Sequence, residues 1–343
     1  MKKNANIVGI LYFFIHFIIE VTSFYIMFSY TKSNLVWILA FIYDFIAFVP
    51  QGILGYIKDK GLNINFSLFG MILSTISLIL LKCNIYPIIV IMILAIGNCM
   101  IHIEGAEVTL KSSKGKMSPS AIFVSGGSFG VITGKILAMY KIPVLPVILI
   151  NLLMLIPIII CRKYKGLVNE KNLESYNFSN KKYKRNTIII LATFVVIVRA
   201  YMGYGIPTTW NKTLSQTILL FCTMGIGKAM GGILIDKIGI KKTALLSTIG
   251  ALPFLIFGDN IMTISLIGIM IFSMTMAITL GLIVSVLKKY PGVAFGFTTI
   301  GLFLGSVPIF FSKIDSILIN CIIVILLTII CVIILNKICR EEN

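Results

Sequence analysis

The segment Gly232-Ile-Leu-Ile-Asp236-Lys237-Ile-Gly239-Ile-Lys-Lys, residues 232–242, lies between two long apolar stretches and determines our interpretation of the fold. Gly232 allows a neighbouring helix to approach closely, and Gly239 permits a tight turn. Asp236 can cap a helix or pair with the basic residues around it. We therefore predict a latch between neighbouring helices at one face of a membrane, formed by Gly232, Asp236, Lys237 and Gly239.

A shorter copy of this segment occurs earlier in the chain. Residues 55–61 read Gly55-Tyr-Ile-Lys-Asp59-Lys60-Gly, which is about one residue shorter than the later segment. Each copy follows the second apolar stretch in a group of six. Two such segments in equivalent positions indicate an internal repeat with parallel topology. Gly55, Asp59 and Lys60 are therefore predicted to form an equivalent latch.

The composition places the chain in a membrane. Hydrophobic residues make up 58% of its 343 residues, charged residues make up 12%, and the mean hydropathy is +1.02. A soluble domain needs a more polar surface than this. The hydrophobic residues form blocks of about 20 residues, the length that an α-helix needs to cross a hydrocarbon core of ~30 Å. Residues 142–160 and 317–335 are apolar on every face, which does not fit the alternating pattern of a membrane strand.

We predict an all-α membrane protein with twelve transmembrane helices in two six-helix bundles. The basic connector 163–186 separates an N-terminal bundle, 1–162, from a C-terminal bundle, 187–343, and is expected to be a solvated loop. The predicted spans are 7–29, 35–57, 64–82, 86–108, 118–140, 142–162, 187–207, 213–235, 243–258, 261–287, 291–312 and 314–336.

The distribution of basic residues orients the chain. Of the 30 Lys and Arg residues, three lie inside predicted helices and 22 lie on the same side as the N-terminus. The positive-inside rule then places both termini in the cytoplasm, with the chain in the cytoplasmic (inner) membrane of a bacterium. The formal net charge of +18 does not indicate nucleic-acid binding, because the lysines occupy short loops between helices. The five basic residues in the predicted outer loops are Lys32, Lys82, Lys141, Lys212 and Lys313.

The two latch segments and the helix count resemble the major facilitator superfamily, whose signature loop residues 232–242 match nearly in full. A narrower likeness lies in residues 97–134, which resemble the fosmidomycin-resistance group of drug efflux carriers. In that group a histidine, an acid and a small residue end the fourth helix, and a double glycine marks the fifth. The matching residues are Gly97-Asn98, His102-Ile-Glu104-Gly105-Ala106, Phe123-Val-Ser-Gly126-Gly127-Ser-Phe-Gly130 and Gly134, with Ile103 in place of the usual proline.

The resemblance implies that the third helix of each triplet is peripheral, so charged residues are expected to avoid it. The interiors of predicted helices 3, 6, 9 and 12 contain no acid, base or histidine. Burying a charge against lipid costs several kcal/mol, so this distribution indicates a central polar cavity. The ionisable residues inside the other helices include Glu20, Asp44, His102, Glu104, Lys135, Arg199 and Lys228.

Glu20, Asp44 and Arg199 are predicted to share the membrane midplane, since a rise of ~1.5 Å per residue places each of them about 18 to 20 Å from the cytoplasmic boundary. Two acids near one base favour a proton switch. The alternative is a permanent ion pair between Arg199 and either acid, which would lock the two halves together. His16 lies one turn before Glu20, and a local hydrogen bond explains it as well as a proton relay does.

His102 and Glu104 are expected about 6 to 9 Å from the cytoplasmic boundary, a depth that suits a gate. The two side chains point to nearly opposite faces of a helix, so they are not expected to bind one metal ion together. The chain has 2 histidines and no HExxH motif, and we predict no metal site and no cofactor. Proton coupling is assigned to Glu20, Asp44, His102 and Glu104, with a structural role as the alternative for His102.

Substrate contact is assigned to Arg199 and to three tyrosines, Tyr12, Tyr201 and Tyr204. Aromatic residues also face lipid, which is the alternative for the tyrosines. Lys135 and Lys228 are expected to extend toward the nearer membrane surface. The glycines of the fifth and eleventh helices form either a rocking interface or an ordinary tight packing contact. These glycines are Gly126, Gly127, Gly130, Gly134, Gly301 and Gly305.

These features predict a secondary active transporter that exports a small organic solute by alternating access, coupled to protons. Uptake of a nutrient or metabolite is the first alternative, because acids at the midplane serve either direction. A membrane receptor or assembly protein without transport activity is the second. An enzyme is not expected, because neither a nucleophile with its base nor a metal cluster is found. The expected partners are the solute, protons and the lipid bilayer, with the chain as a monomer.

Overall fold

The computed structural model describes residues 2–30, 35–163, 168–210, 212–311, 314 and 316–341. Helices dominate these residues, and the only β pairing among them is an isolated bridge between Ser179 and Cys339. The prediction of an all-α chain is confirmed. Lys32 and Lys313, two of the lysines in the predicted outer loops, lie outside the described residues.

Sixteen α-helices follow one another along the described chain, and several pairs of them together make one predicted span. Their bounds are α1 Lys2–Ser29, α2 Val36–Phe48, α3 Gln51–Asp59, α4 Phe66–Lys82, α5 Pro87–Ser112, α6 Ser118–Met139, α7 Val144–Leu153, α8 Leu155–Lys163, α9 Arg185–Gly205, α10 Leu214–Ile238, α11 Ile240–Leu245, α12 Leu252–Phe257, α13 Met262–Ser273, α14 Thr275–Val286, α15 Pro291–Ser306 and α16 Ile317–Ile338.

By length and composition, 10 helical spans in the described part of the chain can cross a membrane. Two further apolar helices, Phe66–Lys82 and Val144–Ile160, are shorter. They coincide with the third and sixth predicted spans, which the sequence predicted as full crossings. The prediction of a multi-pass membrane protein is confirmed.

Two helix interruptions have identifiable local causes or consequences. Pro50 lies between α2 and α3, and proline has no N–H with which to continue the helical hydrogen bonds. Between α11 and α12 the chain forms a π-helical turn, Leu246–Gly250. This wider turn leaves the Ser247 carbonyl oxygen free to accept a hydrogen bond from a side chain, and it accepts one from Arg199.

Glycines bring long helices into close contact. Gly126, Gly130 and Gly134 of α6 lie against α1, where an added Cβ would collide with backbone atoms. Gly301 and Gly305 of α15 lie against α9 in the same way. Each of these contacts joins helices within one predicted half. These contacts are close packing in the structure described, and the rocking interface stays a prediction.

The connector between the halves is packed against the protein, which differs from the expected solvated loop. Tyr176 is 0% exposed, and its hydroxyl donates to the backbone carbonyl oxygens of Leu110 and Lys116, each at 3.2 Å. Further along, the Asn180 N–H donates to the Ile338 carbonyl oxygen at 2.8 Å. The described part of the connector thus contacts the end of α5 on one side and the end of α16 on the other. The sequence pattern of charges did not reveal this, because the anchoring group is one aromatic residue.

Candidate functional site

The candidate site is a cluster of ionisable side chains in the interior of the helices. Glu20 of α1 and His102 of α5 are buried, as is His16, one turn before Glu20. Glu20 Oε1 lies 3.7 Å from His16 Nε2 and 3.8 Å from His102 Nε2. One ligand atom from each of the three residues can be chosen so that all lie within 4.8 Å of one another. We call His16, Glu20 and His102 the central cluster.

Backbone hydrogen bonds fix which ring nitrogen each histidine turns toward Glu20. His16 Nδ1 lies 2.9 Å from the Phe123 carbonyl oxygen, and His102 Nδ1 lies 3.0 Å from the Asn98 carbonyl oxygen. A carbonyl oxygen only accepts, so each Nδ1 carries a proton and donates it. In the neutral rings each Nε2 then presents a lone pair toward the carboxylate.

Asn98 connects three helices at the central cluster. Its amide nitrogen donates to Glu20 Oε1 at 2.8 Å and to the Tyr43 hydroxyl at 2.8 Å. The amide oxygen of Asn98 is buried and has no hydrogen-bond partner among the described residues. The sequence analysis noted Asn98 only as part of a family likeness. The sequence signal that could have identified Asn98 is its spacing of four residues from His102, because that spacing places both side chains on one helix face.

Close packing encloses the central cluster. A Cβ added at Gly127 would lie 2.6 Å from His16 Nε2, so only glycine leaves room for the imidazole at this position. Phe295 of α15 stacks on His102 with ring centroids 6.3 Å apart, and Phe123 of α6 lies 5.0 Å from the His16 ring. The double glycine predicted for the fifth helix therefore forms one wall of the site.

The predicted depth of His102 was wrong. The sequence analysis ended the fourth span at residue 108 and placed His102 near the membrane boundary. Helix α5 instead continues to Ser112, which puts His102 about 15 Å from the end of the helix. His102 lies beside Glu20, with 3.8 Å between Nε2 and Oε1, so the predicted separation of the two residues in depth is contradicted.

Glu104 lies apart from the central cluster. Its carboxylate forms an ion pair with Lys58 Nζ at 2.8 Å and accepts a hydrogen bond from the Phe66 N–H at 3.1 Å. These contacts connect α5 to the end of α3 and the start of α4. The residue assigned to proton coupling from the sequence thus occupies a structural position.

Asp44 lies near the central cluster without joining it. Its side chain is half-buried, interacts electrostatically with Glu20, and forms no hydrogen bond or ion pair with any described residue. Tyr204, from the other predicted half, also interacts electrostatically with Asp44. Asp44 is among the residues assigned to coupling, and Tyr204 is among those assigned to substrate contact.

Arg199 does not approach either acid, which differs from the predicted midplane triad. Its Nη2 donates to the carbonyl oxygens of Ser247 at 2.9 Å and Phe272 at 2.8 Å. The guanidinium also lies over the Phe272 ring, 3.4 Å from its centroid. The side chain is buried, and its Nε and Nη1 have no hydrogen-bond partner among the described residues. No ion pair between Arg199 and Glu20 or Asp44 occurs in the described chain.

The other residues assigned to substrate contact are dispersed. Tyr12 is 3% exposed and lies beside Ser67 and Phe123, on the inner side of α1. Tyr201 is half-buried on α9, whereas Tyr204 near the end of the same helix is 64% exposed. The structure does not collect these tyrosines and Arg199 around one cavity.

Lys228 lies closer to the central cluster than the sequence analysis expected. It lines a narrow crevice together with residues that include Ala121, Phe295 and Thr298. Its ammonium group interacts electrostatically with Glu20. Lys135, by contrast, lies 5.3 Å over the Phe28 ring.

The first latch joins α10 to α6. Asp236 accepts hydrogen bonds from the N–H groups of Met117 at 2.8 Å and Ser118 at 3.0 Å, which are unpaired donors at the start of α6. A Cβ at Gly232 would collide with Ala121, so the glycine allows the two helices to meet here. The latch carboxylate thus binds the positive end of a helix in the other predicted half.

The second latch repeats this arrangement with the halves exchanged. Asp59 at the end of α3 accepts hydrogen bonds from the N–H groups of Gly292 at 3.1 Å and Val293 at 3.0 Å, at the start of α15. The Cα of Gly55 lies against Gly292. We call the side of the molecule that carries Asp59 and Asp236 the latch face. Contacts of equal chemistry between opposite pairs of helices give this face an internal two-fold symmetry.

The other predicted latch residues have smaller roles. Lys60 Nζ lies 5.5 Å over the Tyr56 ring and 5.8 Å over the Tyr290 ring, so it bridges α3 and the loop before α15. Gly239 has φ +86°, a left-handed conformation that favours glycine at the turn after α10. Lys237 is exposed.

No family model matches the sequence, and no curated protein matches it either. Solved structures are similar along the whole chain. The human organic anion transporter MFSD10 (TETRAN) matches with a TM-score of 0.65 at 11% identity, covering 95% of this chain and 99% of that chain. The major facilitator superfamily transporter FucP in the outward conformation matches with a TM-score of 0.61 at 16% identity, covering 98% and 99%.

A bacterial homologue of the iron transporter ferroportin in an outward-facing state matches with a TM-score of 0.59 at 10% identity, covering 96% of this chain and 99% of that chain. At these low sequence identities, the structural similarity shows a shared fold. The repeated latch segments had predicted the same fold from the sequence. The chain has the fold of the major facilitator superfamily.

Proposed function

We propose that this protein is a secondary active transporter that moves a small solute across a membrane by alternating access. The observation that carries the proposal is the pair of symmetric latches, in which Asp59 and Asp236 each cap a helix of the opposite half. Alternating access requires contacts between halves that can close one side and release it. Two carboxylates on helix N-termini suit this role, because each contact depends on a few hydrogen bonds and no covalent link.

The proposal includes twelve transmembrane helices in two six-helix bundles, 1–162 and 187–343, with both termini in the cytoplasm. The shorter helices Phe66–Lys82 and Val144–Ile160 then cross the membrane as the third and sixth spans. The latch face is the cytoplasmic side of a bacterial inner membrane. With both latches closed, this conformation is sealed toward the cytoplasm, and two of the similar structures, FucP and the ferroportin homologue, are in outward conformations.

We further propose proton-coupled export of a small organic solute, as expected from the likeness of residues 97–134 to drug efflux carriers. Glu20 and Asp44 are the carboxylates inside the bundle that support this version, because both lie away from the membrane surfaces. Proton-coupled uptake of a nutrient or metabolite remains the first alternative. A receptor or assembly protein without transport is the second. The protein is proposed to act as a monomer.

The test is solute-driven proton movement in proteoliposomes that contain the purified protein and an internal fluorescent pH probe. A panel of small drugs and metabolites is added outside, and Glu20→Gln and Asp44→Asn are compared with the unchanged protein. Glu170→Gln is the matched control, because the Glu170 side chain is 82% exposed in the connector. A solute-dependent pH change that is lost in Glu20→Gln or in Asp44→Asn supports proton coupling.

Two other outcomes would count against parts of the proposal. Solute accumulation without any pH change would remove proton coupling and leave a uniporter. Absence of flux for every solute, in protein whose latch face opens and closes normally, would favour the receptor alternative. Retention of coupling in Glu20→Gln and Asp44→Asn would show that neither acid carries the proton.

A further inference from the structure

We propose that the central cluster, His16, Glu20 and His102, is a binding site for one divalent transition-metal ion. The inference goes beyond the proposed function by assigning a ligand to these residues, and it concerns binding, which is measured without transport. His102 and Glu104 point to nearly opposite faces of α5, so a metal site formed by that pair is not expected from the sequence. In the structure, the residues beside His102 are Glu20 and His16, both on α1.

The spacing of the donor atoms fits a bound ion better than it fits direct hydrogen bonds. The two distances from Glu20 Oε1 to histidine nitrogens are 3.7 Å and 3.8 Å, longer than the usual limit of about 3.2 Å for such a bond. Ligand atoms around a tetrahedral zinc ion lie about 3.3 Å apart, given zinc–nitrogen bonds of about 2.0 Å. Side-chain rotations that shorten these two contacts by about 0.5 Å, and that bring the ligand nitrogens of His16 and His102 from within 4.8 Å to a similar spacing, close the site around an ion.

The protonation of the two rings is the second observation. Each Nδ1 donates to a backbone carbonyl oxygen, which leaves each Nε2 with its lone pair toward Glu20. Histidine ligands of metal sites are oriented in this way, with the non-ligating N–H held by a carbonyl or carboxylate. Two lone pairs and one carboxylate oxygen that face one another repel unless a proton or a metal cation lies between them, and a metal ion satisfies all three donors at once.

A fourth donor is available from Asn98. Its amide oxygen is buried and has no partner among the described residues, while its amide nitrogen is 2.8 Å from Glu20 Oε1. Rotation of this amide can bring the oxygen toward an ion held by the cluster. Asn98 is 1% exposed, so an unpaired acceptor here is costly unless it binds something.

The donor set selects the kind of ion. Two imidazole nitrogens and a carboxylate favour zinc, iron(II), cobalt, nickel or manganese. Magnesium and calcium prefer oxygen ligands and are disfavoured at two histidines. Bound metal also displaces any proton from these residues.

Two nearby charges act on the bound ion in opposite directions. Lys228 approaches from α10 and interacts electrostatically with Glu20 and His102, so it opposes a cation in the cluster. Asp44 on α2 also interacts with Glu20 and favours a cation. Because Lys228 belongs to the other predicted half, a change in its distance from the cluster alters metal affinity. Lys228→Met is therefore expected to tighten binding.

The experiment uses the full chain, purified in detergent without a polyhistidine tag. Cobalt(II) is titrated while its visible ligand-field absorption is recorded, and thermal unfolding is followed with zinc, cobalt or magnesium added. We expect cobalt and zinc, but not magnesium, to raise the unfolding temperature. His16→Gln, His102→Gln and Glu20→Gln are each expected to weaken binding by at least about tenfold.

Glu104→Gln and Cys99→Ala are the matched controls. Both residues lie on α5 near His102, but Glu104 is paired with Lys58 and Cys99 lies in a different apolar cluster. The unfolding temperature without metal reports whether each variant folds. The proposal is overturned if the unchanged protein shows no cobalt absorption, if magnesium stabilises it equally, or if folded cluster variants bind as tightly as the controls. Metal binding without transport would leave this inference intact and count against the proposed function alone.

Discussion

Asn98 shows how one polar side chain can organise the interior of an apolar bundle. Its amide nitrogen donates to groups on α1 and α2, which makes it the shared partner of Glu20 and Tyr43. Since few polar groups are available at this depth, each one that is removed leaves its partners without a substitute. A residue in such a position contributes to stability through the hydrogen bonds that it makes to other buried polar groups, and not through its own size.

We expect Asn98→Ala to destabilise the protein by about 1–3 kcal/mol, because Glu20 and Tyr43 lose a buried hydrogen-bond donor. Thermal unfolding in detergent measures the change. Asn336→Ala is the matched control, since Asn336 is exposed near the end of α16. Equal unfolding temperatures for the two variants would mean that the Asn98 contacts do not stabilise the fold.

Gly127 offers a steric test of the same site. An added Cβ would lie 2.6 Å from His16 Nε2, so Gly127→Ala should displace the imidazole from Glu20 and lower the unfolding temperature. Gly203→Ala is the comparison, because a Cβ there would lie 4.0 Å from Phe272 Cε1, which is an ordinary van der Waals contact. Replacing that helical glycine should be neutral or stabilise by up to about 1 kcal/mol. Similar effects of both substitutions would contradict the steric account.

Residue identities were easier to predict than residue depths. The sequence was sufficient to select Glu20 and His102 as candidates, because an ionisable side chain within an apolar span is unusual. It did not bring them together, since an error of four residues in the end of α5 moves His102 by about 6 Å. Arg199 was misplaced for a different reason. Its partner is the Ser247 carbonyl of a π-helical turn, and no periodicity in the sequence marks such a turn.

At the level of the helices, the latches are the feature that the sequence predicted in most detail. Asp236 was identified from its position after Gly232 and before a basic turn. The sequence did not reveal that its partners are the N–H groups at the start of α6. Glycine spacing is a local property, whereas the identity of the helix that fills the space depends on the packing of the whole bundle.

Asp236→Asn should favour opening of the latch face. Asparagine keeps one acceptor oxygen but loses the charge that interacts with the α6 N-terminus, at a cost of about 1–2 kcal/mol. That cost corresponds to a shift of about tenfold in the equilibrium between closed and open states. A cysteine placed at the buried position Met117, in protein without Cys83, should react faster with a membrane-impermeant maleimide.

The control for the latch is Asp259→Asn. The backbone carbonyl of Asp259 accepts a hydrogen bond from the Thr209 N–H at 2.7 Å, and the substitution leaves that contact in place. In Asp259→Asn, a cysteine placed at position 117 should react with the maleimide at the same rate as it does in protein with Asp259 unchanged. An equal rate in Asp236→Asn would show that this carboxylate does not hold the latch face closed.

At the scale of the whole molecule, the connector links the two halves at the latch face. The Tyr176 hydroxyl attaches the connector to the end of α5 by a hydrogen bond to the Leu110 carbonyl oxygen. On the other side, the Arg340 N–H donates to the Phe178 carbonyl oxygen at 2.8 Å. The hydroxyl of Tyr176 also forms a hydrogen bond with Ser113 Oγ. A segment that packs against both halves restricts how far they separate when the latches open. We therefore expect its described part to move with the two halves in the proposed transport cycle.

Tyr176→Phe tests this attachment while keeping the aromatic ring. Burial raises the pKa of the Tyr176 hydroxyl in the folded protein, so the fold favours the protonated group that donates to Leu110 and Lys116. Its contribution is complete below the unfolded pKa of about 10 and declines as the pH rises above that value. We expect Tyr176→Phe to unfold at a lower temperature than the unchanged protein near neutral pH.

The difference should narrow above about pH 10, because only the unchanged protein must keep the Tyr176 hydroxyl protonated in order to fold, and all other tyrosines are common to both proteins. Thermal unfolding in detergent across neutral and alkaline pH measures both effects. Tyr140→Phe is the control, since Tyr140 is 65% exposed and should show neither effect. A difference between Tyr176→Phe and the unchanged protein that is constant with pH would mean that the buried hydroxyl does not control the attachment. The connector would then be held by apolar packing alone, and hydrogen bonds at Tyr176 would not limit the separation of the halves.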